Sequence, residues 1–213
     1  MKFCVIGLGR FGYQLAETLA ENGMEVMAID SSEDIVASIK DKVTHAICMR
    51  VTNEESLRNI GVEEMDTVIV AMGENFAQTI LITALLKKRL HVPYVIARAI
   101  DDIHQEILTL TGADRVILPE KEIGIRLADS LSSPFTDLVR LTKDFSISQI
   151  IAPRSFVGKT LGELDLFKKY QTFCIGVKKD GKIVSVDNAY RIADGDRLVF
   201  SGHNENLEKI TKL

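Results

Sequence analysis

An apolar strand that runs straight into a glycine-rich turn and then into a helix leaves a chain few ways to fold. This chain opens that way. Phe3-Cys4-Val5-Ile6 leads into Gly7-Leu8-Gly9-Arg10-Phe11-Gly12 and on into Tyr13-Gln14-Leu15-Ala16. Strand, GxGxxG loop and helix thus come in the order that a dinucleotide-type phosphate loop requires. Gly7 permits a tight turn, Gly9 withdraws the side chain that would block a phosphate, and Gly12 lets the helix lie close to the strand. Backbone N–H groups at the helix start then face an anion, helped by the helix dipole. Eighteen residues past Gly12, at the end of the next strand, Asp30 can accept hydrogen bonds from ribose hydroxyls. A carboxylate there repels a 2′-phosphate, so NADP is the least suitable adenine nucleotide. The alternative is a glycine loop kept for packing alone.

Arg10 narrows the choice further. A cation in the first turn of a helix is disfavoured by the dipole unless an anion lies nearby, which leans toward ATP or ADP over NAD or NADH. An arginine turned outward into water would remove that preference. Gly73, which follows Val68-Ile69-Val70-Ala71-Met72, offers a second small residue at the carboxyl edge of the sheet, where ligands bind; it also reads as a plain loop glycine.

Short β-rich runs alternate with longer helical patterns through the first part of the chain, the rhythm of a parallel sheet covered on both faces. Strands are predicted at 2–6, 25–29, 45–48, 67–71, 94–97 and 115–118. Helices are predicted at 11–21, 33–40, 54–60, 75–89, 103–111 and 122–131. Ser132-Ser133-Pro134 then ends the pattern. Beyond it come strands at 144–151, 172–178, 183–186 and 197–201, helices at 161–169 and 204–212, and a hairpin turn at Asp180-Gly181. The fold class is therefore α/β: a Rossmann-like doubly wound sheet over residues 1–134, with a second, smaller α+β domain over 135–213. A module of that size lies near the lower limit for independent stability, so it is expected to pack on a partner copy.

Composition excludes several functions. With 26 Lys and Arg against 30 Asp and Glu and a net charge of −4, the chain lacks a basic stripe for nucleic acid. No apolar run approaches the ~20 residues of a membrane span, and the start lacks a signal-peptide layout. A cytoplasmic protein without direct membrane insertion is expected. Cys4, Cys48 and Cys174 read as small buried hydrophobes, and His45, His91, His104 and His203 share no ligand spacing. No GxSxG, HExxH or P-loop pattern occurs, and the tail supplies only His203 for proton chemistry. An enzyme is not expected. An NAD-dependent oxidoreductase stands as the alternative, and a scaffold protein with a vestigial nucleotide domain as a third.

Several segments in order carry a family resemblance: Val5 to Gly12, Thr44-His45-Ala46, Val68 to Gly73, and Gly112-Ala113-Asp114-Arg115-Val116-Ile117-Leu118-Pro119-Glu120-Lys121. In the tail, Leu161-Gly162-Glu163-Leu164, Lys169-Tyr170 and Gly195-Asp196-Arg197-Leu198-Val199 continue it. The chain resembles the Trk/Ktr potassium-uptake regulatory subunits, which carry RCK domains, most closely the KtrA type.

The resemblance implies an RCK N-terminal nucleotide-binding domain and an RCK C-terminal regulatory or dimerisation domain. It further implies homodimers assembling into an octameric ring on the inner face of the plasma membrane. Nucleotide exchange in that ring gates potassium flow through a separate membrane-embedded channel or transporter subunit. Carried over by position, the cofactor-binding set is Gly7, Gly9, Arg10, Phe11, Gly12, Asp30, Ser31, Arg50, Gly73 and Arg98. Arg10 falls near the terminal phosphates. Arg50 stands where relatives commonly show Asp or Asn. Glu120 matches a family glutamate linked to a divalent-cation site between subunits; it also reads as a helix-start carboxylate favoured by the dipole. Phe167 stands where relatives that bind cyclic di-AMP carry an arginine, and losing a bidentate phosphate donor weakens such a site.

Overall fold

Runs of β-branched and apolar residues line up as the parallel sheet that the N-terminal rhythm predicts. The computed structural model describes residues 1–73, 75–132 and 137–211. Its strands β1 (Lys2–Ile6), β2 (Glu25–Asp30), β3 (His45–Cys48), β4 (Thr67–Val70), β5 (Tyr94–Arg98) and β6 (Arg115–Ile117) stand in the order β3-β2-β1-β4-β5-β6. Every neighbouring pair is parallel. Between them run α1 (Arg10–Glu21), α2 (Glu33–Ile39), α3 (Glu54–Asn59), α4 (Phe76–Lys88) and α5 (Asp102–Thr111). Adjacent residues of one strand serve opposite cores: Ile6 and Val70 pack with Ile82 and Leu86, whereas Val5 and Ile69 pack with Ala16 and Val26. That alternation is the two-residue period of a strand buried on both faces. The strand order turns back between β1 and β4, and such a switch point opens a crevice beyond the strand ends.

The chain divides into two compact units, Met1–Glu120 and Lys121–Leu213. Helix α6 (Pro119–Ser132) starts at the end of the first and continues into the second. The expected junction at Ser132-Ser133-Pro134 falls mostly on residues 133 and 134, which lie outside the described ones, as does Lys212 of the last expected helix.

The second unit is an antiparallel sheet in the order β10-β9-β11-β8-β7, built from β7 (Asp137–Arg140), β8 (Phe145–Ile151), β9 (Thr172–Lys179), β10 (Lys182–Val184) and β11 (Arg197–His203). Three short helices, α7 (Leu161–Leu164), α8 (Leu166–Tyr170) and α9 (Asn204–Thr211), accompany it. Leu164, Leu166, Leu198, Phe200, Leu207 and Ile210 fill its core. Asp180 and Gly181 both have positive φ, 50° and 77°, as a two-residue hairpin turn requires. The sequence pattern missed two features here. The single helix expected over 161–169 breaks at Asp165, whose φ is 44°, so that Leu164 and Leu166 can both turn into the core. Strand β7 pairs with β8 at the sheet edge in a segment too short to show a period.

One buried histidine gives the first unit a pH dependence. Fully buried His104 stacks on Phe76 with ring centroids 4.2 Å apart, and its Nδ1 accepts the Ile100 N–H at 3.4 Å. Burial pushes its pKa below the ordinary 6.5, against the opposing pull of Asp101. The unfolded chain therefore takes up this proton first, so stability is complete above about pH 6.5 and falls as the pH drops below it. Urea midpoints at pH 7.5 and 5.5 should drop less for His104→Gln than for the parent chain; equal drops would mean that His104 does not contribute.

Candidate functional site

In the first unit α1 starts without a side-chain cap, unlike the four α-helices that follow it. Helices α2, α3, α4 and α5 each begin with a side-chain cap: Ser32 accepts from the Ile35 N–H, Asn53 from Ser56, Asn75 from Gln78 and Asp101 from His104. The cap residue of α1 is Gly9, which has no side chain to offer, and no acidic residue stands in the first turn. The leading N–H groups and the positive end of the dipole thus have no intrahelical partner. Arg10, exposed at the first helical position, adds a full positive charge.

The three glycines of the loop do different work. Gly7 has a φ of 94° and donates its N–H to the Ile29 carbonyl at 2.8 Å. A Cβ on Gly12 would lie 1.9 Å from the Gly7 carbonyl oxygen, so only glycine lets α1 settle on the loop. A Cβ on Gly9 would meet nothing within 4 Å. Its glycine is therefore unexplained by packing, and the space beside it is where a ligand's phosphate would need to come close. Phe11 is half-buried against the core that holds Val5 and Ala16; beyond that packing it can offer a ligand its backbone.

Asp30, at the end of β2, is tied to the loop directly. Its Oδ2 accepts the Leu8 N–H at 2.7 Å and its Oδ1 accepts the Ser32 N–H at 2.9 Å. The carboxylate braces the glycine turn, a role that spacing did not suggest. With about four lone-pair sites on a carboxylate, capacity for a ribose hydroxyl remains. Ser31 is exposed beside it, its carbonyl accepting from Cys48 Sγ at 3.7 Å. Arg50, also exposed, lies two residues beyond β3. Cys48 is itself exposed, contrary to its reading as a buried hydrophobe; β3 is the sheet edge, where outward positions meet water. Burial pushes the thiols of Cys4 and Cys174 up to about 12 and about 11, as inert cysteines require.

A second group assembles on the β4–β6 side of the switch point. Gly73, Arg98 and Glu120 are far apart in sequence, yet the Arg98 guanidinium lies over Gly73, where a Cβ would be 1.9 Å from Nη1. Arg98 Nη2 donates to Glu120 Oε1. Gly73 is thus the seat of an arginine rather than a loop glycine. Glu120's carboxyl is held below the usual range by its own backbone N–H and by Arg98, with burial opposing. The groups adjoin through Met72, whose Cγ would lie 2.9 Å from a Cβ on Gly7. The sequence reading missed Gln78 and Thr79, which brace the nearby loops through the carbonyls of Val51 and Met72. The Asn75-to-Gln78 cap spacing was their visible signal.

Among the described residues no three His, Cys, Asp or Glu side chains are grouped to hold a metal ion, and no helix is long and apolar enough to cross a membrane. In one chain Glu120 is a lone carboxylate already paired with Arg98, which does not fit a divalent cation.

Comparison with known proteins gives the family. The TrkA-N domain family matches residues 3–119 and the TrkA-C domain family residues 148–213. The chain is similar to Ktr system potassium uptake protein C of Bacillus subtilis (strain 168), 36% identical over 86% of this chain and 83% of the relative. It is also similar to Ktr system potassium uptake protein A of the same strain, 34% identical over 98% and 94%. Among solved structures, the GsuK channel bound to NAD shares the fold with a TM-score of 0.69 at 17% identity. The match covers 99% of this chain but 39% of that one.

The glycine geometry separates packing from binding. Gly12→Ala should cost about 3 kcal/mol or prevent folding, because backbone rather than a flexible side chain must move. Gly9→Ala should cost less than about 1 kcal/mol. Thermal melting of the two variants checks the order, and a Gly12→Ala protein as stable as the parent would refute the close approach.

Proposed function

We infer, from the premise that this chain belongs to the TrkA-N and TrkA-C domain family, that it is a cytoplasmic, nucleotide-binding regulatory subunit of a potassium-uptake system. It acts on a separate membrane-embedded channel or transporter subunit and is not an enzyme. The observation that carries the nucleotide reading is the open start of α1, bare at Gly9 while α2 to α5 are capped, with Asp30 bonded to the same loop. A pyrophosphate on those N–H groups would supply the missing cap, and Asp30 and Ser31 would face the sugar. Arg10 and Arg98 would meet the more distal phosphates, which favours ATP or ADP over NAD. Arg50 would stand at the adenine side.

Regulation needs two states with different affinity for the ligand, since equal binding to both shifts nothing. A ring of homodimers, eight chains in all, would provide them, and exposed apolar side chains are available for association. Ile123, Ile125, Leu127 and Leu131 of α6 are 51% to 78% exposed, more than a lone helix benefits from leaving in water. A divalent cation at Glu120 would need oxygen ligands from a second chain, and no part of this mechanism runs through it.

Calorimetric titration of the full chain with ATP, ADP and NADH should show binding, tightest for ATP or ADP. Gly9→Val should abolish it with little change in melting temperature, and Asp30→Ala should weaken it by about ten-fold or more, about 1.4 kcal/mol. Absence of binding by all three would overturn the reading. Hydride transfer to any substrate would favour the NAD-dependent oxidoreductase instead. Native mass spectrometry should report the mass of the assembly together with any nucleotide carried through purification.

A further inference from the structure

With phosphates on the α1 N–H groups and a ribose at Asp30, the strand order fixes where the base of a nucleotide goes. The order β3-β2-β1 places the glycine loop over β1 and Asp30 at the end of β2, so the next strand outward lies beside the base. That strand is β3, and its last residue, Cys48, pairs with Asp30. The segment that follows, Met49-Arg50-Val51, is tied at both ends. The Met49 N–H donates to the Asp30 carbonyl at 2.8 Å, and the Val51 carbonyl accepts from Gln78 Nε2. Gln78 is fixed in turn by Asn75, whose Oδ1 accepts the Gln78 N–H at 3.1 Å and whose Nδ2 donates to Gln78 Oε1 at 3.1 Å. The base side of the crevice is therefore bordered by a short segment tethered to β2 and to α4.

Burial along this segment shows which way Arg50 turns. Val51 lies within the core that holds Ile82 and Leu86 of α4, and Ile47 and Met49 pack against the same core. The alternation of β3 thus continues past its end and sends the intervening residues to the opposite side. Ala46 packs there with Phe11, Leu15 and Ala16 of α1, and Cys48 and Arg50 follow it into the open. Arg50 stands on the α1 side of the sheet, the side from which the uncapped helix start faces the crevice. Its guanidinium has no ion pair or hydrogen bond among the described residues.

An arginine side chain only donates hydrogen bonds. Adenine sets a donor, its 6-amino group, beside the N7 acceptor, whereas a 6-oxopurine sets two acceptors there, O6 and N7, which a guanidinium fork meets bidentately. We propose that Arg50 is the base-reading residue of the nucleotide site, and that the site takes 6-oxopurine nucleotides such as GTP and GDP in addition to ATP and ADP, and more tightly. This rests on the nucleotide reading above and extends its ligand class, leaving the phosphate and sugar contacts as they are. Gln78 serves as a positioning residue, because Arg50 can tell one base edge from another only while the segment that carries it is held.

The test is calorimetric titration of the full-length chain with ATP, GTP, inosine triphosphate and inorganic tripolyphosphate, with melting curves to confirm that each variant folds. GTP should bind about 5- to 10-fold more tightly than ATP, near the low end for a bidentate pair because Arg50 is exposed. Inosine triphosphate keeps O6 and N7 but lacks the 2-amino group, so it should match GTP. Arg50→Ala should bring the three nucleotides to similar affinity. Arg50→Asn, whose amide pairs with the 6-amino group and N7 of adenine, should reverse the order in favour of ATP. Gln78→Met should shrink the ratio of GTP to ATP affinity while tripolyphosphate binding stays unchanged, a pattern that a role in stability alone does not produce. A GTP preference that inosine triphosphate does not share, or that survives Arg50→Ala, would overturn the assignment. If the parent binds none of the nucleotides, the nucleotide reading and this proposal fail together; if ATP binds and GTP does not exceed it, the Arg50 reading alone fails.

Discussion

The close seating of α1 on the end of β1 is the constraint on which the first unit depends. Gly12 faces the Gly7 carbonyl so directly that a single methyl group would lie 1.9 Å from its oxygen. That approach holds the first turn of the helix against the loop and aims its N–H groups into the crevice where the strand order turns back. The Gly7 N–H bonds to β2 through Ile29, and Leu8 bonds to β2 through Asp30. The loop is thus held to β2 at two points before any ligand arrives, and such preorganisation lowers the cost of binding.

Capping shows how the chain separates structural helix ends from a functional one. The starts of α2 to α5 are each satisfied by a polar side chain, Ser32, Asn53, Asn75 and Asp101, whereas α1 starts on Gly9. Leaving α1 bare at Gly9 gives up a few tenths of a kcal/mol of helix stability relative to a good cap. The loss is useful only if something outside the chain supplies the acceptor. The same reasoning applies to Arg98, whose Nε has no partner. Both features lie at the carboxyl edge of one sheet, and both offer donors without acceptors. An anion is the chemical class that answers them together, which agrees with the regulatory role of the family to which the chain belongs.

Much of this was legible in the residues because its causes are local. The strands appeared as apolar runs, and the glycine loop appeared because its strand and helix flank it directly. The Asp180-Gly181 turn was readable because few residue pairs adopt positive φ at both positions. What escaped was decided by neighbours distant in sequence. Cys48 is exposed because β3 lies at the edge of the sheet. The helix expected over 161–169 breaks because two leucines separated by one residue both serve the core. Spacing alone suggested only a ribose partner in Asp30, since its bond to Leu8 forms across two elements.

By itself the sequence determined the nucleotide-type fold, the order of its elements and the identity of the loop, since each follows from periodicity and from the steric demands of glycine along a short stretch of chain. The meeting of Gly73, Arg98 and Glu120 at one sheet edge, and the division of labour among Gly7, Gly9 and Gly12, were decided only by tertiary structure. Hydrogen bonds and collisions depend on distances through space, and residues widely separated along the chain carry no local mark of the partners that folding brings to them.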